Sequence, residues 1–143
     1  MAEKYLYFRS MSTDADDDAT GDSACFPASS LMGMQPTSDT ALTLYFKNML
    51  IGSGNHGYDP GEDAAKFENY DSVILTIPDT GTSHVVAMKA IVNAISGSNF
   101  PSFIVVANNR SGNTEYLAGS GITACGTITV ASIYAWAADC NCG

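Results

Sequence analysis

Apolar and polar residues alternate over 41–47. Leu42, Leu44 and Phe46 point one way, and Thr43, Tyr45 and Lys47 the other. Period two is the pattern of a strand with one face buried. Residues 72–77 repeat it with Val73, Leu75 and Ile77 on one face, and the turn-forming 78–81 (Pro-Asp-Thr-Gly) ends the strand. Residues 4–10 predict a first strand rich in aromatics, with Tyr5 and Tyr7 on one face and Leu6 and Phe8 on the other. The period changes over 83–96, where Val85, Met88, Ile91, Val92 and Ile95 fall at helical spacing. Thr82 or Ser83 supplies a cap and Gly97 closes this helix. The unbroken apolar run 103–107 predicts a strand covered on both faces. Residues 116–117 suggest a short strand, and 127–134 a last one whose phase slips at Ile133, as a bulge or a strand end would cause.

These elements predict one α+β domain over 1–143. It holds a small, mixed, mostly antiparallel sheet in the order β-β-β-α-β-β with one covering helix, an arrangement open to a sandwich-like form. Long loops are expected at 11–40, with a short edge strand near 30–34, and at 52–71. Strand 72–77, helix 83–96 and strand 103–107 together suggest a right-handed crossover. One helix covers only one face of a sheet. The other face is then solvated, closed by curling, or buried against another subunit.

Composition narrows the function classes. Hydrophobic residues make up 45% and charged residues 15%, against a usual ~25% charged, so the chain is built to fold. Six Lys and Arg against fifteen Asp and Glu give a formal charge of −9, which repels phosphate and disfavours nucleic acid and anionic membrane. No apolar run approaches the ~20 residues of a membrane span, and the first residues lack a signal-peptide pattern. Synthesis in a cytoplasm is the expectation, with Cys25, Cys125, Cys140 and Cys142 as free thiols. Cys140 and Cys142 are spaced too tightly for a zinc knuckle, though pairing between subunits stays open.

Candidate chemistry is sparse. Gly52, Gly54 and Gly57 match a dinucleotide-binding pattern, but Pro60 and Gly61 follow where a helix must start. Asp16, Asp18, Thr20, Gly21 and Asp22 occupy the first positions of a calcium loop, but Pro27 stands where the bidentate Glu belongs. Acidic loop 11–24 therefore reads as solvated. His56 and His84 have no nucleophile at a supporting spacing. No catalytic, cofactor-binding or metal residues are assigned. The aromatics point instead to a subunit interface, where Tyr and Trp are enriched and charge is depleted, with Tyr5, Tyr7, Tyr45, Tyr134 and Trp136 as its candidates.

The opening Tyr5-Leu-Tyr-Phe-Arg-Ser10, the acidic loop, segments 27–40 and 42–46, helix 85–95 and run 103–107 resemble small structural proteins of marine tailed phages, particularly those infecting cyanobacteria. The resemblance spans most of the chain and brings no catalytic or ligand residues. It implies a non-enzymatic virion component present in many copies. The expected form is a capsid decoration (cement) protein on the outer capsid surface, bound to its own copies and to the major capsid protein or another virion protein. A tail or fibre-like subunit is the alternative within that class. A small enzyme or metal-binding module using loop 52–71, with His56, Asp59 and Glu62, is the alternative of another class.

Overall fold

The computed structural model describes residues 3–48 and 70–130. Its strands are β1 (Tyr5–Arg9), β2 (Ser23–Pro27), β3 (Leu31–Ser38), β4 (Ala41–Lys47), β5 (Tyr70–Thr76), β6 (Phe103–Asn108), β7 (Glu115–Tyr116) and β8 (Ala124–Thr129). One helix, α1 (Ser83–Ser96), lies between β5 and β6. The alternation seen in the sequence decides the inner face. Leu42, Leu44 and Phe46 of β4 are fully buried, as are Val73 and Leu75 of β5, its antiparallel partner.

The described residues build two four-stranded sheets where the sequence suggested one. The first runs β2-β1-β6-β7 and the second β3-β4-β5-β8. Every pairing is antiparallel except β1 with β6. The long loop expected at 11–40 is corrected, because it holds β2; the short edge strand expected near 30–34 is there as β3, eight residues long at the edge of the second sheet. Strand β2 escapes a pattern reading because it is five residues long, ends in Pro27 and buries only Phe26. The crossover is also corrected. Neighbours β4 and β8 occupy both edges of β5, so β6 finds no edge there and pairs in parallel with β1 in the other sheet. The second predicted loop loses its last two residues, since Tyr70 and Asp71 already belong to β5.

Both sheets feed one hydrophobic cluster. Phe26 of the first sheet stacks on Phe46 of the second at 4.2 Å between ring centroids, and Phe8 meets Phe46 edge-on at 5.8 Å. Helix α1 adds Ala87, Ile91 and Ala94 to this cluster. The predicted apolar stripe is therefore split. Ile91 faces inward, Met88 and Ile95 sit at its margin, and Val85 and Val92 are 48% and 50% exposed. Small residues at 87 and 94 let the helix backbone approach the sheets, which turns the larger valines outward.

Local details hold α1 in place. Thr82 is the N-cap by position but forms no side-chain cap bond; the Ser83 hydroxyl pairs with that of Thr80 instead. His84 Nε2–H donates to the carbonyls of Ser38 (2.9 Å) and Ala41 (3.1 Å), tying the helix start to the β3–β4 turn. At the other end Lys4 Nζ donates to the carbonyls of Ala94 and Gly97, a cation on the negative end of the helix. Gly97 ends the helix in extended backbone; a Cβ there would lie 2.7 Å from the Asn93 carbonyl oxygen. Strand β8 starts three residues earlier than expected and carries a register shift opposite Val73 to Leu75. Gly126 sits in that irregularity, where a Cβ would be 2.8 Å from the Ile74 carbonyl oxygen.

Candidate functional site

Strand register places two aromatic groups on outer faces. In the first sheet Tyr5 lies opposite Pro27 and Phe103, and Tyr7 opposite Cys25 and Val105. Residues directly opposite share a face. These six therefore form one outer surface, the reverse of the buried Leu6, Phe8, Phe26 and Ile104. Tyr5 is 43% exposed and Phe103 52%, and the Tyr7 and Phe103 rings meet at 5.3 Å. The expectation that 103–107 is covered on both faces is corrected here: Ile104, Val106 and Ala107 are buried, but Phe103 is open. None of the six side chains carries a formal charge at neutral pH.

One end of this face is closed by the acidic loop. Arg9, on the same face as Tyr5 and Tyr7, is 6% exposed under it. Its guanidinium donates to the Met11 carbonyl (2.7 Å) and to Asp14 Oδ1 (2.9 Å), and lies 3.4 Å from Asp17. Arg110 grips both Asp14 oxygens at 2.9 Å. Arg110 first and Arg9 second hold the Asp14 carboxyl below the usual range. Asp22 accepts the backbone N–H groups of Asp18 and Ala19, and Asp17 accepts from the Ser23 hydroxyl. The loop read as merely solvated is thus latched by two arginines. Asp16 and Asp18 remain exposed at its surface. Among the described residues, no three His, Cys, Asp or Glu side chains are grouped to hold a metal ion.

Tyr45 lies on the outer face of the second sheet. It makes an edge-on contact with Tyr70 at 5.5 Å and accepts a hydrogen bond from Gln35. The structure thus brings Tyr5 and Tyr7 together and sets Tyr45 on another sheet. Tyr134, Trp136, Cys140, Cys142 and the segment with His56, Asp59 and Glu62 lie outside the described residues. Phe103, Val105 and Pro27 were missed as partners of Tyr5 and Tyr7, because only the cross-strand register joins them. Cys25 is exposed, whereas burial pushes the Cys125 thiol up to about 12. Cys125 therefore stays protonated and behaves as a small core residue.

A further polar arrangement sits where the two sheets meet. The Asn109 amide donates to the carbonyls of Ser10 (3.1 Å) and Cys125 (2.8 Å). Its oxygen accepts from the Tyr116 hydroxyl (2.7 Å) and the Cys125 N–H (3.0 Å). It joins the end of β1, β7 and β8 by geometry alone. No described helix is long and apolar enough to cross a membrane. No family model matches the chain, and no curated protein or solved structure matches it either.

Proposed function

We propose that the chain is a non-enzymatic structural protein of a phage particle. The form that fits best is a capsid decoration protein, sandwich-like in build, that associates with its own copies and with the shell. One observation carries this reading: two surfaces with large apolar side chains stay open on different elements. They are the outer face of the first sheet, with Tyr5 and Phe103, and the helix stripe with Val85 and Val92. A protein that cements a shell needs more than one contact surface, because it must bridge neighbours. Its mechanism is mechanical. Each contact buries apolar area at roughly 25 cal/mol per Å², and repetition over many copies multiplies a modest affinity through avidity. A charge of −9 suits the outside of a DNA-filled shell better than its lining.

A tail or fibre-like subunit growing by strand addition is the second reading, favoured by β3, the eight-residue edge of the second sheet. That edge is blunted by Pro36 and two register shifts, which disfavour an added strand. The test is to separate heads, tails and whole particles of the source phage on a density gradient and measure the chain by mass spectrometry. A constant ratio to the major capsid protein in the head fraction is expected. Presence in tails alone selects the second reading, and absence from every particle fraction overturns the proposal.

A further inference from the structure

The reading above leaves open which surface meets which neighbour. We infer that the outer face of the first sheet, with Tyr5, Tyr7, Cys25, Pro27, Phe103 and Val105, is the contact between two copies of this chain, related by a two-fold axis. The inference deepens the proposed self-association and rests on it only for its biological setting.

Charge selects the occupant. Each copy carries −9, so two copies meet at least Coulomb cost through a surface without acids. A two-fold contact also places residues near the axis against their own counterparts, where any formal charge meets its like. The centre of this face, where Tyr5, Tyr7, Cys25, Pro27, Phe103 and Val105 stand, satisfies both conditions. Its acids lie at the margins: Glu3 accepts the Ser29 N–H at 3.1 Å, Asp14 is held between Arg9 and Arg110, and exposed Glu115 stands on β7 opposite Asn108. A cationic partner would be drawn to exposed Asp16 and Asp18 instead, away from a neutral aromatic surface. The helix stripe is the weaker candidate for self-pairing. Lys89 is exposed beside Val85 and Val92, and a two-fold through that stripe brings two ammonium groups together.

Size fits the heart of an interface. Three strands of five to six residues present a face about 17 Å by about 14 Å. A stable dimer buries roughly 800 Å² on each partner, so this face is the apolar centre, and polar surface around it completes the contact. The resulting dimer is of moderate affinity, as suits a component whose avidity comes from repetition.

The test uses the full chain in sedimentation equilibrium across a concentration series, at low and high salt. Concentration-dependent dimerisation that tightens with added salt is expected, since salt screens the −9/−9 repulsion and strengthens apolar burial. Phe103→Glu and, separately, Tyr5→Ser weaken it by about tenfold or more, equal to about 1.4 kcal/mol. Val85→Glu leaves it unchanged. Circular dichroism and thermal unfolding establish that each variant is folded, and Tyr5→Ser serves should Phe103→Glu fail that check. A monomer at every concentration, a dimer weakened by salt, or a dimer lost in Val85→Glu and kept in Tyr5→Ser overturns the inference. If the chain is monomeric yet follows heads on the gradient, the face belongs to a shell protein; the structural role stands and the two-fold contact falls. A dimer absent from every particle fraction has the reverse meaning.

Discussion

Two residues show how single side chains organise this molecule. Asn109 satisfies four hydrogen-bonding groups, and replacing it with Ala strands the Tyr116 hydroxyl and the Cys125 N–H. We expect Asn109→Ala to lose about 2–3 kcal/mol in urea unfolding, with an unchanged denaturant slope. Asp14 acts through charge. Its carboxyl is more acidic when folded, because two guanidinium groups favour the ionised form. A lowered folded value means that its stabilisation is present above the ordinary value of 3.8 and is lost as pH falls through the lower folded value. Thermal midpoints of wild type and Asp14→Asn should thus differ most near neutral pH and low salt, and converge in acid. Neither role was legible in the sequence. Asn109 is 99 residues from Ser10 and Arg110 is 96 from Asp14, and only folding brings them there.

At the scale of elements, strands with long alternation were legible and short ones were not. Strands β4 and β5 announce themselves because Leu42, Leu44, Phe46, Val73 and Leu75 all face one core. Strand β2 buries one apolar residue, and its register against β1 supplies what its own sequence lacks. The helix was legible in extent but not in orientation. Val85 and Val92 have the right spacing for a core, yet Ala87 and Ala94 take that place because close packing favours the small side chains. The split has a measurable consequence. Ile91→Ala should lose about 2–5 kcal/mol, whereas Val92→Ala, on the exposed side of the same helix, should stay within about 0.5 kcal/mol. Equal losses at both positions would contradict the observed orientation.

For the whole molecule, the sequence pointed to an apolar sheet side left uncovered by a single helix. Phe8 and Phe26 of the first sheet meet Phe46 of the second in the core, and the opposite face of the first sheet stays open. Its members were only half legible, since Tyr5 and Tyr7 stand out as strand aromatics whereas Phe103 joins them only through the parallel pairing of β1 with β6. The central claim is that this open face is a contact surface. Hydroxyl-radical footprinting with residue-level mass spectrometry, comparing dilute with concentrated protein, tests it most directly. The account predicts that oxidation of Tyr5 and Phe103 falls as the protein is concentrated, while Met32 and Val85 stay as reactive as before. Protection that appears at Val85 and leaves Tyr5 and Phe103 unchanged would contradict it.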